Sequence, residues 1–445
     1  MKKLWIFILI LIAAAAGFVY FSPVFEKEPP KIEILSNGYT NLQKPIKIII
    51  TDNSGIKSYE VELRAGTFEE VIAKSAEPNM GKKVVLNLKL PNIDAKQIQL
   101  SITATDTSKW HFFRGNIARK NVILVVDKTA PDAEVINNSY AIGRGGSAAA
   151  VVKVNDENLK EKYILVNNKY RFNLTPFVKK GYYAALIAWP YNETEFNAEL
   201  IAVDKAGNES QVHIPYYWKT KGIYRLKNKK LTITDGFIEN VAKRVLIKSG
   251  LKVPNDPVET FKVMNEKLRK MNEKELFNLT RNIYESKINS FYINRFNPLP
   301  GSALQAGFME LRHYYYKSRE ISRAVHKGMD LAKIKHAKVY ASNTGTVIAT
   351  KYIGIYGNTM VVYHKLGLYT TYSHLSQFNA KKGERVRRGQ VIARTGSTGG
   401  VFGDHLHFGV YIQGYPVQPR EWMDSRWIRL NIIKVIKDAK RTVLQ

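Results

Sequence analysis

The spacing of apolar residues predicts a β-rich chain up to about residue 221. Short segments of alternating, β-branched residues, such as 46–51, 122–126 and 149–154, are separated by Asn, Asp, Gly and Pro. This pattern is typical of antiparallel β-sandwiches. We therefore expect sandwich domains, not helices, over 31–221.

The period changes to a helical one between about residues 231 and 296. Phe261, Met264, Leu268 and Met271 recur at intervals of three and four residues, which places them on one helix face. Asp256 followed by Pro257 predicts a capped helix start, and the run 272–275 predicts a second start. After Pro300 the glycine-punctuated β pattern returns and continues to about Pro419.

A diffuse internal repeat divides the first β region. The segment from Asp52 to Tyr59 recurs as Asp156 to Tyr163, and the Asp-Lys-Thr-Ala-Pro run at 127–131 lies between the copies. This run and the Asp-Lys-Ala-Gly-Asn turn at 204–208 resemble those of bacterial immunoglobulin-like modules. The resemblance implies two such sandwiches. Spacer, regulator and glycan binder are all open as roles for them.

The amino terminus predicts a membrane anchor. Lys2 and Lys3 precede an uncharged apolar stretch from Leu4 to Phe21, and Pro23 then ends any helix. Eighteen helical residues cover about 27 Å, close to the ~30 Å of a bilayer core. An uncleaved signal anchor therefore fits better than a short signal peptide, and the lysines predict a cytoplasmic amino terminus with the rest exported.

Composition narrows the class of partner. The 445 residues include 68 Lys and Arg against 38 Asp and Glu, a formal net charge of +30. Such a charge indicates a polyanionic partner, and export argues against nucleic acid. A solvated lysine-rich surface and attraction to an anionic wall or membrane both remain open. The chain has no cysteine, so any metal must be held by histidines and carboxylates.

Histidines are concentrated near the carboxyl end. His405 and His407 lie two apart in a predicted strand and therefore point to one face. His326 and Asp330 flank Gly328, which permits a bend that brings them together. One His, one Asp and one of the paired histidines give three protein ligands, which is typical of a catalytic zinc site with an open fourth position. His374 adds an imidazole next to the metal, and without a His-Glu-x-x-His motif histidines must transfer the protons.

Together these motifs resemble the lysostaphin-type, LytM-like zinc metallopeptidases. The resemblance spans about 298–420 and rests on His-x-Gly-x-Asp, Tyr-x-His-Leu, a glycine-rich loop and His-Leu-His-Phe. It implies a small antiparallel β domain with a groove and one Zn²⁺. It also implies the following roles: His326, Asp330 and His407 as metal ligands, and His374 and His405 as catalytic residues. The sequence departs from the family pattern at 306–312 and at Asp404, which concerns the groove wall and the substrate subsites.

The predicted fold class is a mainly β multidomain protein with a short helical region. The predicted segments are a transmembrane anchor (1–22), two immunoglobulin-like sandwiches (31–127 and 128–222), a basic helical region (223–296), a lysostaphin-like zinc peptidase domain (297–430) and a basic tail (431–445).

The predicted function is zinc-dependent hydrolysis of peptide cross-links or stem peptides in bacterial peptidoglycan. The expected location is the cell envelope, with a single span in the inner membrane and the catalytic part outside the cytoplasm. Peptidoglycan, the membrane and envelope regulators are the expected partners. The alternative is a catalytically silent LytM-like scaffold that activates other wall hydrolases.

Overall fold

The computed structural model describes residues 2–445, so Met1 of the predicted 1–22 anchor lies outside the described residues. Strands dominate these residues, which confirms the predicted mainly β fold. The chain forms two compact units. One contains 2–131, 156–160 and 203–209, and the other contains 132–155, 161–202 and 210–445.

The first unit begins with an apolar helix, α1 (Lys2–Phe21). Apart from Lys2 and Lys3, this helix has no charged residue, and none of its residues is buried in the protein. Twenty helical residues measure about 30 Å, so α1 is long and apolar enough to cross a bilayer. A 3₁₀ turn, Pro23–Phe25, follows, and the Ser22 hydroxyl accepts a hydrogen bond from the Val24 amide.

Eight strands and a short turn, α2 (Trp110–Phe113), complete most of the first unit. One sheet has the order β1-β3-β6 and the other has the order β2-β8-β7-β4-β5. Alternate residues of both sheets, including Ile48, Leu63, Leu100 and Leu124, meet in one buried core, as expected for a sandwich. The strands are β1 (Lys31–Leu35), β2 (Tyr39–Thr40), β3 (Ile46–Thr51), β4 (Ile56–Ala65), β5 (Phe68–Ala76), β6 (Lys83–Leu88), β7 (Gln97–Asp106) and β8 (Ile117–Val126).

Residues 132–219 form two four-stranded sheets, β14-β15-β11-β9 and β13-β12-β16-β17, and a parallel pair, β10-β18. Most of β11 is buried without alternation, which indicates that both of its faces are covered. These strands are β9 (Asp132–Asn138), β10 (Ala141–Gly143), β11 (Ser147–Asn155), β12 (Leu159–Val166), β13 (Tyr170–Asn173), β14 (Thr175–Pro176), β15 (Tyr182–Ala188), β16 (Ala198–Asp204), β17 (Glu209–His213) and β18 (Tyr217–Lys219).

The helical region follows strand β19 (Lys227–Thr232) and consists of two helices, each with a π-helical segment. The carboxylate of Asp256 accepts a hydrogen bond from the Glu259 amide, which confirms the predicted cap. The second predicted start is wrong: Asn272 lies within a helix, where its buried side chain accepts a hydrogen bond from the Ile355 amide. The segments are α3 (Asp235–Phe237), a π segment (Ile238–Ala242), α4 (Lys243–Lys248), α5 (Pro257–Lys262), a π segment (Val263–Leu268) and α6 (Arg269–Thr280).

The remaining strands build a sheet with the order β20-β23-β31-β27-β26-β25-β29, with β32 paired to β31, and two three-stranded sheets, β24-β30-β28 and β19-β21-β22. Every residue of β31 is buried, because this strand is central in the large sheet. The strands are β20 (Ala303–Ala306), β21 (Glu310–Tyr316), β22 (Arg319–Val325), β23 (Met329–Ala332), β24 (Lys338–Tyr340), β25 (Gly345–Tyr352), β26 (Asn358–Tyr363), β27 (Leu368–Ser373), β28 (Gln377–Phe378), β29 (Arg385–Val386), β30 (Val391–Arg394), β31 (Leu406–Ile412) and β32 (Tyr415–Val417).

The carboxyl end is helical, including the segment predicted as a basic tail. One face of the last helix is buried and contacts β9 and β11, so this helix covers the outer face of the alanine-rich strand β11. The side-chain amide of Asn137 in β9 donates a hydrogen bond to the Val435 carbonyl. The segments are α7 (Pro419–Trp422), α8 (Ser425–Ile428), a π segment (Arg429–Ile433) and α9 (Lys434–Leu444).

Candidate metal centre

Two adjacent strands of the large sheet carry two of the predicted metal ligands. Asp330 in β23 lies directly opposite His407 in the antiparallel strand β31. His326 precedes β23 and approaches the same face. This approach requires Gly328, because a Cβ at that position would lie 2.5 Å from His407 Nε2 and 2.7 Å from the Phe408 carbonyl oxygen.

The structure brings one atom from each of these three side chains to a common point. His326 Nε2 lies 3.0 Å from Asp330 Oδ1 and 3.0 Å from His407 Nδ1, and the last two atoms are 2.9 Å apart. All three residues are buried. Tetrahedral zinc with ligand bonds of about 2.1 Å requires separations of about 3.4 Å, so these atoms need to move apart by only about 0.5 Å to hold the ion. Two imidazole nitrogens and one carboxylate oxygen are ligand types that zinc accepts.

Neighbouring groups orient the ligand atoms. His326 Nδ1 lies 2.7 Å from the Gly307 carbonyl oxygen, which can only accept, so Nδ1 carries the proton and Nε2 presents its lone pair. Arg312 Nη2 donates to Asp330 Oδ2 at 2.8 Å, which leaves Oδ1 facing the cluster. Burial lowers the pKa of His407 to about 4, so this imidazole is neutral, as a metal ligand must be.

The two predicted catalytic histidines lie beside the cluster, with their rings 4.8 Å apart. His374 Nδ1 donates to the Thr398 carbonyl oxygen at 2.8 Å, and His405 Nδ1 donates to the Gly403 carbonyl oxygen at 2.9 Å. Both Nε2 lone pairs are therefore available for proton transfer. His374 has a left-handed backbone (φ 63°), and burial holds its pKa well below the ordinary value.

The other two histidines of this segment lie apart from the cluster. His364 is buried, and its ring bonds the Thr344 carbonyl and the Thr370 hydroxyl. His336 is half exposed and lies against Ser376 Oγ at 3.1 Å. Neither residue belongs to the group of three ligand atoms.

A cavity of about 420 Å³ opens over the five clustered residues, and the helical region supplies one of its walls. The rings of Phe237 and Phe402 lie at this wall with their centroids 4.3 Å apart and their planes tilted by 32°. The cavity is also lined by Phe237, Phe402 and Arg269, which were not among the site residues predicted from the sequence. Phe402 was detectable in the sequence as a lone aromatic residue in the glycine-rich loop. Phe237 and Arg269 lie far along the chain from the motifs, so the sequence carried no signal for them.

Comparison with known proteins identifies the domain that holds this centre. The profile described as Peptidase family M23 matches residues 324–419, which include all five clustered residues. The chain contains an M23 peptidase domain. This match confirms the family resemblance inferred from the motifs. The segment 306–312, where the sequence departs from the family pattern, lies outside the matched range. Arg312 of this segment nevertheless donates a hydrogen bond to the predicted ligand Asp330.

Two curated relatives from Vibrio cholerae align with the M23 part. The chain is 42% identical over 94 residues to peptidoglycan DD-endopeptidase ShyA, across 21% of this chain and 22% of ShyA. It is 37% identical over 139 residues to peptidoglycan DD-endopeptidase ShyB, across 31% of this chain and 30% of ShyB. The chain thus spans less than a third of the length of these relatives.

A longer alignment is found among solved structures. A crystal structure described as a putative peptidase M23 from Pseudomonas aeruginosa covers 65% of this chain and 97% of its own. The sequence identity is 18% and the TM-score is 0.39.

Proposed function

We propose that the protein is a zinc-dependent endopeptidase that hydrolyses peptide bonds in bacterial peptidoglycan. The observation that carries this proposal is the convergence of three ligand atoms beside two further histidines in an open cavity. The relatives that share the M23 segment are named peptidoglycan DD-endopeptidases, which supports this substrate class.

His326, Asp330 and His407 would hold one zinc ion. Bound zinc supplies Lewis-acid polarisation of a substrate carbonyl and of an attacking water. Hydrogen bonds from neighbouring groups hold the ligands in place. Arg312 donates one to Asp330 Oδ2, and the Gly307 carbonyl accepts one from His326 Nδ1. Such outer contacts fix ligand orientation and raise metal affinity.

His374 and His405 would carry the protons. Each ring is fixed through Nδ1 by a backbone carbonyl, so each Nε2 has a defined direction. One Nε2 can accept a proton from the attacking water, and an imidazolium formed in this way can return it to the leaving amine. His405 Nε2 lies 3.7 Å from Asp330 Oδ1, which places it near the reacting groups.

The proposed location is the cell envelope, with α1 as a single membrane span. The apolar length of α1 and the preceding lysines support this location. The net charge of +30 supports retention near an anionic wall. The sandwiches and the helical region would then be extracytoplasmic, together with the M23 domain.

Digestion of purified peptidoglycan by the full chain tests the activity. With zinc we expect new free amines and smaller muropeptides by mass spectrometry, and their masses identify the cleaved bond. A chelator and His407→Ala should each reduce product at least about 100-fold, because both remove the Lewis acid. His213→Ala, an exposed histidine in β17, is the matched control and should retain activity.

Intact peptidoglycan after incubation with protein of normal zinc content would contradict the proposal and would support the silent scaffold that activates other hydrolases.

A further inference from the structure

The turn α2 belongs to an exposed loop of the first unit, residues 109–115, here called the aromatic loop. It contains Trp110, His111, Phe112 and Phe113 in sequence. Phe112 is 95% exposed and Phe113 is 65% exposed, unusually large values for adjacent phenylalanines. Three consecutive residues, 111–113, have left-handed backbones (φ 50°, 57° and 68°), a strained arrangement that keeps these rings outside the sandwich core.

Hydrogen bonds tie the aromatic loop to the segment that leaves α1. The Lys109 amide donates to the Val24 carbonyl at 2.8 Å. The Glu26 carbonyl accepts from Ser108 Oγ at 2.6 Å and from Asn116 Nδ2 at 2.8 Å. Val24 lies three residues beyond the end of α1, a reach of at most about 11 Å. The loop is therefore held close to the level at which α1 ends.

Side chains continue the contact along α1. Trp110 lies beside Ala16, Val19 and Tyr20 of the helix in a shallow apolar depression. The ring of Phe25 links Phe18 and Phe113, at centroid distances of 6.1 Å and 6.4 Å. The loop and the last turns of α1 therefore form one continuous apolar surface.

Cationic side chains border this surface. The Lys27 ammonium group lies 3.7 Å from the ring centroid of Tyr20 and 4.8 Å from that of Trp110, and exposed Lys109 and Arg114 flank the loop. Tryptophan and tyrosine with nearby lysine or arginine are the composition of the membrane–water interface, where cations meet lipid phosphates.

We propose that the aromatic loop inserts Phe112 and Phe113 into the outer leaflet of the bilayer that α1 spans. This inference rests on the proposed membrane span, not on the peptidase activity. The polar layer of a bilayer is only about 5–7 Å thick on each side. The Phe25 ring contacts both Phe18 of α1 and Phe113 of the loop, so the loop lies beside the end of α1 and its rings can reach the acyl boundary. The loop would be a second membrane attachment that fixes the orientation of the first sandwich.

Depth-dependent quenching on the full chain tests this insertion. The protein has no cysteine, so Phe112→Cys provides one labelling site for a nitrobenzoxadiazole fluorophore. Phe68→Cys is the matched control, because Phe68 is also exposed (39%) but lies far from the loop. Phe68 pairs with Ala65 at one end of β4. Ile56, at the other end of β4, pairs with Asp106, which lies near the loop. Ten strand residues separate the two ends by about 30 Å. Leu11→Cys reports whether α1 is inserted.

Each protein would be reconstituted in vesicles of phosphatidylcholine and phosphatidylglycerol. We expect lipid-borne spin labels to quench the fluorophores at positions 112 and 11, with iodide quenching at 112 at least about fivefold weaker than at 68. A quenched position 11 with an iodide-accessible position 112 would overturn the insertion. Shielding of position 112 from both quenchers would also overturn it, since a protein surface would then cover the loop. If lipid-borne spin labels do not quench position 11, α1 does not span the bilayer and the insertion proposal fails. This result is independent of the result of the peptidoglycan digestion.

Discussion

At the scale of single residues, the metal centre depends on a position with no side chain. Gly328 leaves no room for a Cβ beside His407 and the Phe408 carbonyl. We therefore expect Gly328→Ala to displace His407 and to lower zinc affinity at least about tenfold, as other changes around metal ligands do. Metal analysis after equilibration with buffered zinc measures this effect without an activity assay.

Gly236→Ala is the matched control for that change. Its Cβ would approach only Thr234 Oγ1, at 3.9 Å, within the start of a helix. Equal zinc content in the two variants would show that the crowding at Gly328 does not determine ligand position.

A second residue-scale prediction concerns Glu421. Its Oε2 accepts hydrogen bonds from the amide and the hydroxyl of Ser147. Burial raises its pKa to about 8 from an ordinary value of 4.5. The folded state therefore binds more protons than the unfolded state between these values, so this group's contribution to stability is present below about pH 4.5 and is lost as pH rises to about 8.

Glu421→Gln should remove that dependence. The difference in free energy of unfolding between the wild type and this variant should fall with rising pH, by at most about 1.4 kcal/mol per pH unit. Chemical denaturation at several pH values between 5 and 8 measures it. Parallel stability curves for the two proteins would contradict the raised pKa.

At the scale of elements, the last helix stabilises the sheet that contains β9 and β11 by burying one of its own faces against it. Ile436 of α9 is 2% exposed, whereas Leu444 at its end is 54% exposed. Ile436→Ala should cost about 2–4 kcal/mol, because it creates a cavity against the sheet. Leu444→Ala removes the same number of atoms from an exposed site and should change stability by less than about 0.5 kcal/mol. Denaturant titration compares them, and similar losses would argue against the packed helix.

Elements also show where sequence reasoning succeeded and where it failed. The cap at Asp256 was predictable because capping depends on residues three positions apart. The false start at Asn272 has the same local signature, but its side chain bonds Ile355, which is distant in the chain. A local sequence pattern cannot show whether an asparagine side chain caps a helix or instead accepts a hydrogen bond from a residue distant in the chain.

At the scale of the whole molecule, the net charge of +30 should control attachment to the wall. We expect sedimentation of the inactive His407→Ala chain with intact peptidoglycan to weaken strongly between about 0.1 M and about 1 M salt, where the Debye length falls from about 10 Å to about 3 Å. Peptidoglycan with amidated carboxylates is the control and should bind weakly at both salt levels. Binding that is independent of salt would show that the charge serves only solubility.

The sequence by itself determined the β-rich architecture, the apolar helix and the identity of the five clustered residues, because periodicity and motif spacing are local properties of the chain. Only the tertiary structure placed Asp330 opposite His407, brought Arg312 to the second carboxylate oxygen, and made the helical region a wall of the cavity. It also placed the aromatic loop at the end of α1. Such contacts join residues far apart in sequence, and strand order and packing decide them, because no short segment encodes its distant neighbour.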